Sequence, residues 1–301
     1  MKKVAVLLSA YNGEKYIEEQ IESILEQSGV EVELYARDDG SSDGTCTILE
    51  KYERDGKLHL EKGKNVGFVQ SFMWLVANCE NADYYAFADQ DDVWVKNKLL
   101  YAVEEMEKKD DSKPLLYFSN YDFYDQNMKF MEHCGILNGE PSFRNSLVDC
   151  ITLGFNSVFN NVTRDMMKKN IPQKACGHDW WSYMLCAGLG EVIYDRRVTV
   201  KYRRTGTNVS PGGASFLKHQ IWRIKHFFGK KYFEKVQEQM TEFEYLYGEQ
   251  LSSEDRKVLG LFTDRKHRIR NGIKKVCYPK RFRLKMIDEI LIRMVFLIGK
   301  L

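Results

Sequence analysis

The first 120 or so residues alternate apolar strand-like runs with amphipathic helical segments, and three of the strands end abruptly in polar turns. That alternation predicts a parallel sheet covered by helices on both faces. Lys3–Ser9 is apolar from Val4 to Leu8, as a strand buried on both sides requires. Ile17, Ile21, Ile24 and Leu25 then share one helical face. A second strand over 31–37 runs into Asp38-Asp39-Gly40-Ser41-Ser42-Asp43-Gly44-Thr45, where Asp43 can cap a helix carrying Ile48, Leu49 and Tyr52. A third strand over 58–61 leads through Asn65-Val66-Gly67 into a helix with Phe68, Phe72, Leu75 and Val76. The fourth, 84–88, stops at Asp89-Gln90-Asp91-Asp92, and a helix is expected from about Val93. Polar groups therefore collect beyond the carboxyl ends of strands one, two and four, the edge where open α/β sheets bind ligands.

Further along, strand-like stretches at 115–120, 153–159, 191–194 and 198–202 flank a helix near 180–186. From Phe216 onward the pattern is helical only. The Pro211-Gly212-Gly213 turn divides the chain into a catalytic domain over 1–212 and a basic helical region over 213–301.

Several classes are excluded. With 44% hydrophobic and 29% charged residues the chain is not disordered. The longest uncharged run, Asn65–Cys79, is 15 residues with two Asn, too short and polar to span a bilayer. The start, Met1-Lys2-Lys3 followed by Val4–Leu8, resembles a secretory signal, but the apolar stretch stops at Ser9 and no small-residue cleavage site follows. Seven scattered cysteines without a Cys-x-x-Cys pair suggest free thiols in a reducing cytoplasm and no zinc cluster. Neither Gly-x-Gly-x-x-Gly nor Gly-x4-Gly-Lys-Ser/Thr is present, which removes the main support for dehydrogenase and P-loop functions.

Four constellations could carry chemistry. Asp89 and Asp91, two residues apart in an extended loop, can converge on one hard cation, which can then hold a diphosphate; the alternative is acid decoration of a helix start. A carboxylate of the 38–45 turn could accept the ring N–H of a pyrimidine, or merely shape the turn. Gly177-His178-Asp179-Trp180-Trp181 places an acid beside flat aromatic surface, the needs of a sugar-hydroxyl site, although an Asp at a helix start can simply cap it and paired Trp residues are more often core than platform. In Tyr202-Arg203-Arg204-Thr205 the adjacent arginines point to opposite strand faces, so one can reach a diphosphate and the other is a solvated charge.

Taken in order, these segments resemble the family 2 glycosyltransferases of GT-A fold, in particular a bacterial rhamnosyltransferase-like branch, over roughly residues 3–210. The resemblance rests on Ser9–Tyr16, Arg37–Thr45, Asn65-Val66-Gly67, Phe87–Trp94, His178–Trp181 and Tyr202-Arg203. It implies that Tyr11 and Glu14 line a nucleotide pocket, that Asp38 or Asp39 binds the base, and that Asn65 and Arg203 contribute to the donor site. Asp89 and Asp91 would hold Mg²⁺ or Mn²⁺ and the donor diphosphate, and Asp179 would be the general base of an inverting transfer. His178, Trp180 and Trp181 would face the acceptor. The implied donor is a dTDP- or UDP-sugar, most plausibly dTDP-rhamnose, and the implied acceptor a glycan or lipid-linked saccharide of cell-surface polysaccharide assembly. One departure stands out: the branch usually continues Tyr-Arg with Gln-His, where this chain has Arg204-Thr205, so any role of that histidine is lost or passes to Arg204; Asn208 still fits the pattern. Two rivals stay open, a sugar-nucleotide pyrophosphorylase and a non-catalytic membrane-docked scaffold. Retention of all three acids weighs against the scaffold.

Residues 265–301 carry 12 Lys/Arg and 2 Asp/Glu, a net of +10. Ile287, Ile290, Leu291, Met294, Leu297, Ile298 and Leu301 form one apolar helical stripe there. Packing on the catalytic domain, a homodimer interface, or a helix lying on an anionic membrane surface each fits. The expected location is cytoplasmic, peripheral at the inner face of the cell membrane; no nucleic-acid-binding motif accompanies the charge.

Overall fold

The computed structural model of the chain describes residues 1–205, 230–299 and 301, so the expected boundary at 211–213 and Asn208 lie outside the described residues. Strand β1 (Lys3–Ala10) lies between β2 (Glu31–Asp38) and β4 (Tyr84–Ala88), parallel to both, with β3 (His59–Lys62) outside β2. Beyond β4 the sheet changes character. Strand β8 (Ser157–Asn160) runs antiparallel to β4, and β6 (Leu115–Tyr124) antiparallel to β8. Strand β9 (Glu191–Arg203) is parallel to β6, β5 (Val93–Trp94) pairs antiparallel with β9, and β7 (Phe130–His133) pairs with β6. The order β3-β2-β1-β4-β8-β6-β9-β5 makes a mixed sheet, more antiparallel than the sequence pattern suggests.

Strand alternation builds two cores, one on each face. Val4, Val6 and Leu8 point to the face covered by α1 (Ile17–Leu25), α2 (Thr45–Arg54) and α4 (Lys98–Met106). Ala5 and Leu7 point to the other, covered by α3 (Phe68–Asn78), α6 (Asn161–Lys169) and α7 (His178–Leu189). The C-terminal helices share this second core. They are α8 (Lys230–Tyr247), α9 (Ser253–Thr263), α10 (Arg268–Val276) and α11 (Met286–Leu297). Trp181 is fully buried there, its ring 5.5 Å from Phe243 and 6.3 Å from Tyr247. It does not face a ligand, and the expectation that it contacts the acceptor is corrected.

The segment between α10 and α11 is strapped to short helix α5 (Phe143–Ser146). Arg144 Nε donates to the Arg281 carbonyl at 2.7 Å, Asn145 Nδ2 to the Phe282 carbonyl at 2.8 Å, and Arg283 pairs with Asp149 at 2.6 Å. Tyr183 of α7 completes the link, donating to Asn145 Oδ1 at 2.8 Å.

Three local expectations change. No helix begins at Val93: residues 93 and 94 pair with Lys201 and Val200 of β9, and α4 starts only at Lys98. Asp92 is therefore not a helix cap. The strands expected at 191–194 and 198–202 are one, because the Asp195–Arg197 ion pair (2.6 Å) bridges the polar interruption while the register against β6 slips near Ser119 and Asn120. Strand β7 and helix α6 were not expected; the signal for α6 is Asn160, whose side chain accepts from Thr163 N at 3.1 Å as an N-cap.

His178 joins α7 to the sheet. Its ring stacks on Phe72 at 3.8 Å and meets the edge of Phe87 at 4.5 Å, and burial pushes its pKa down to about 3. An unfolded chain takes up this proton below about pH 6.5, whereas the folded one refuses it until far lower. The associated stability is complete above that pH and is lost on acidification, at about 1.4 kcal/mol per pH unit. Denaturant unfolding at pH 6.5 and 5.5 tests this: in His178→Leu the loss across that interval is smaller than in the native chain by about 1 kcal/mol, because the unfolded imidazole is already half protonated at the upper pH, whatever the variant's absolute stability. Equal slopes would contradict the assignment.

Candidate active site

The carboxyl ends of β1, β2 and β4 open onto one cavity of about 790 Å³, closed on the far side by the start of α7 and the end of β9. Asp39, Asp89, Asp91 and Asp179 all line it.

At the β1 end, Tyr11 lines the cavity and is 48% exposed. The loop after it is laced to the 38–45 turn: Asn12 N donates to Ser41 Oγ at 2.9 Å, Asn12 Oδ1 accepts from Ser42 N at 2.8 Å, and Gly13 N donates to Thr45 Oγ1 at 2.7 Å. Asp43 accepts from Thr45 N at 3.0 Å at the start of α2, and these bonds hold its pKa below the usual carboxylate range against its partial burial. Glu14 belongs to the same lacing. Its carboxylate accepts from Gly44 N at the α2 N-terminus, where the orphan amides of a helix want an anion, so it does not line the cavity as expected.

The two acids of the turn separate. Asp38 is buried and accepts from Ser41 N at 3.2 Å and from the Ser41 hydroxyl. Asp39 accepts from Val66 N at 2.9 Å and Gly67 N at 3.0 Å and pairs with Arg37, yet it is the one of the two on the cavity wall. Asn65 is exposed and off the cavity; its Oδ1 accepts from Gly67 N at 3.2 Å, so it shapes the loop that feeds Asp39. Asp38 and Asn65 are thus supports, contrary to a direct place in the donor site.

Gln90 was not anticipated. Its Oε1 accepts from Tyr11 N at 2.8 Å while its Nε2 donates to Tyr11 O at 3.0 Å, a two-point clamp between the β4 and β1 loops. A Cβ on Gly13 would fall 2.3 Å from that Oε1, so the clamp needs glycine there. No sequence signal separates this glutamine from a surface residue: it lies in a bend after β4 and lines the cavity together with Asp89 and Asp91.

Asp89 and Asp91 converge on the cavity. Burial, then the charges of Asp91 and Asp179, push the Asp89 pKa up to about 7. Burial also raises Asp91. Beneath them Asp92 is fully buried and accepts from Arg203 N at 3.0 Å. Lys98, also fully buried, sits 3.8 Å over the Trp94 ring, and burial pulls its pKa down to about 7 against the opposing charge of Asp92.

Arg203 is turned inward, which corrects its expected place on the donor. Its Nε donates to the Asp91 carbonyl at 2.8 Å and Nη1 to the Gln126 carbonyl at 3.0 Å, Nη2 pairs with Glu19, and the guanidinium covers Tyr16 at 4.6 Å. Alternation then delivers Arg204 to the cavity, its guanidinium 4.4 Å over Phe123 and 5.3 Å over Tyr202, with Thr205 beside it on the wall.

Asp179 lies in the first turn of α7, its Oδ1 accepting from Trp180 N at 2.8 Å. Burial raises its pKa to about 6, while backbone N–H groups including Trp180 and Gly154 hold it back. Trp180 lines the cavity and anchors its indole N–H on the Ser146 carbonyl at 2.6 Å. His178 lines it too, with its ring sandwiched as above.

Among the described residues no group of three or more His, Cys, Asp or Glu side chains is arranged to hold a metal by itself. Asp89 and Asp91 nevertheless fit a hard divalent cation that takes its remaining ligands from a diphosphate and water: burial, and after it the charges of Asp91 and Asp179, push Asp89 upward, and a cation there would favour its ionised form.

The model of Glycosyl transferase family 2 matches residues 5–170, more than half of the chain. The dTDP-rhamnosyl transferase RfbG of Shigella flexneri is 29% identical over 235 residues, covering 69% of this chain and 75% of that one. The putative teichuronic acid biosynthesis glycosyltransferase TuaG of Bacillus subtilis (strain 168) is 30% identical over 158 residues, covering 50% and 60%. Among solved structures, S. aureus TarS 1-349 in complex with UDP-GlcNAc aligns with a TM-score of 0.60 at 17% identity, covering 100% of this chain and 80% of that one. The same protein with UDP gives 0.56 at 18% identity, covering 92% and 75%. The mixed sheet with its flanking helices is a GT-A fold, and the chain belongs to the family 2 glycosyltransferases.

Proposed function

We propose that the chain is an inverting, divalent-metal-dependent transferase that moves rhamnose from dTDP-rhamnose onto a glycan or lipid-linked acceptor in cell-surface polysaccharide biosynthesis. The observation that carries this reading is the placement of Asp179, with a pKa near 6, on the same cavity as Asp89 and Asp91. The choice of rhamnose is supported by the relative RfbG, and a UDP-sugar is the alternative that the TarS complex supports. With the chain a glycosyltransferase, the pyrophosphorylase and scaffold alternatives are set aside.

Tyr11 and Asp39 take the nucleotide end of the donor. Asp89 and Asp91 would hold Mg²⁺ or Mn²⁺, which when bound would offset the charge of the diphosphate. Arg204, already desolvated against two aromatic rings, adds positive charge on the same side. The acceptor oxygen attacks the anomeric carbon opposite the leaving group; the new C–O bond forms as the old one breaks, and the proton passes to Asp179. A carboxylate raised to about 6 is a stronger base than an ordinary one and is still ionised at neutral pH. Trp180 offers the flat face against which an acceptor ring can lie. The enzyme works at the inner face of the cell membrane, where a lipid-linked acceptor would be presented.

Transfer assays with dTDP-rhamnose test the assignment. Asp179→Asn lowers kcat by about 100- to 10,000-fold while the donor-induced thermal shift persists; retention of full transfer would sink the base. In the native enzyme kcat/KM falls tenfold per unit as pH drops below about 6, because the protonated acid accepts no proton. Chelation of divalent ions abolishes transfer and Mn²⁺ restores it; undiminished turnover in EDTA would remove the metal. Arg204→Ala raises the donor KM by about tenfold at unchanged stability, whereas Arg203→Ala lowers unfolding free energy by about 3 kcal/mol, and the reverse pattern would overturn the inward and outward assignment.

A further inference from the structure

One end of the molecule presents large apolar side chains to solvent. Ile269 and Ile273 of α10 are 83% and 58% exposed, and Ile287, Ile290, Met294 and Leu297 of α11 are between 51% and 66% exposed. The spacing of the α11 set at three and four residues places it on one helical face, while Ile292, Val295 and Phe296 of the opposite face are buried. The two helices meet at a groove of about 390 Å³ in which Ile269 and Ile273 face Leu297 and Ile298, with Arg268 at its edge. An apolar surface of this extent is unusual for a free face of a soluble protein.

The charge around it is mostly positive, with Asp288 in the first turn of α11 the partly exposed exception. From Arg265 to Ile287 the chain contains no Asp or Glu. Arg268, Arg270 and Lys274 stand exposed on α10, and Arg281 and Lys285 stand exposed just before α11. Of the acids that follow, Glu289 is turned inward and pairs with Arg293 at 2.6 Å.

We propose that the α10–α11 face seats the enzyme on an anionic phospholipid surface. Apolar side chains with Lys and Arg along the margin are what an interfacial helix needs, the long cationic stems reaching for lipid phosphates as the isoleucines enter the acyl boundary. Among the described residues no helix is long and apolar enough to cross a membrane, so the helices lie on the surface. A second copy fits this face poorly, because a two-fold contact sets the same cations against one another with few acids to pair them. The position is also useful. The strap 281–283 that precedes α11 is bonded to α5 and Asp149, and the chain then runs to Thr152, whose hydroxyl donates to the Asp179 carbonyl at 3.4 Å. The seated face is thereby braced against the acceptor wall of the cavity. This last point rests on the proposed function; the lipid contact does not.

Sedimentation of the full chain with phosphatidylcholine vesicles, with and without phosphatidylglycerol, tests the proposal. The native chain should pellet with the phosphatidylglycerol vesicles and be released by salt. The double variants Ile290→Asp/Met294→Asp and Arg270→Glu/Lys274→Glu should each reduce the bound fraction by about tenfold, with native thermal midpoints and native donor-induced shifts. Native recovery of both variants with vesicles would overturn it, as would indifference to lipid charge or a solution dimer that the Ile290/Met294 variant dissociates. Failure of the native chain to pellet with phosphatidylglycerol vesicles while it transfers to a soluble acceptor fails this inference alone; vesicle binding by the native chain without any transfer fails the proposed function alone.

Discussion

Crowding three carboxylates into the four residues after β4 is electrostatically costly, and the architecture of the site is organised around tolerating it. Arg203 does so from beneath. It reaches the Asp91 carbonyl, its own amide reaches Asp92, and its remaining nitrogens are committed to Glu19 and Gln126. The backbone of the acidic loop is thereby fixed from beneath, and the charge of Arg203 also holds Asp91 back against its burial. Asp89 keeps an elevated pKa, first from burial and then from the charges of Asp91 and Asp179. The small strand β5 is part of the same solution, because pairing residues 93 and 94 with β9 brings the end of β9, and Arg203 with it, under the loop.

The opposite wall is held differently. Asp179 hangs from a helix whose first turn is clamped by aromatic packing: His178 against Phe72 and Phe87, Trp180 on the Ser146 carbonyl, Trp181 against α8. The C-terminal helices therefore do more than extend the chain. They complete the core on which the α7 acid is mounted, so the Asp179 wall of the cavity and the basic face share one packed unit.

Much of this was legible beforehand. The continuous apolar runs of β1 and β4, and the polar turns that follow β1, β2 and β4, announce both the sheet and the edge that carries the site. What the sequence could not supply was phase. Which of two neighbouring arginines faces the cavity depends on the registration of β9 against β6, which slips near Ser119 and Asn120. Likewise Glu14, Asp38 and Asn65 carry the right chemistry for a ligand but spend it on backbone amides of adjacent loops, a distinction set by tertiary packing. Trp181 shows the same limit: an indole in a Trp pair is equally suited to a platform and a core, and α8, distant in sequence, decides.

The clamp between Gln90 and Tyr11 has a consequence for altering such an enzyme. Because the amide fills the space a side chain at position 13 would occupy, and grips the main chain two residues earlier, these loops form an interlocking pair. Exchange of either loop with that of another transferase would fail unless its counterpart travelled with it. The two segments are therefore inherited as one block, and recombination experiments should cut outside both.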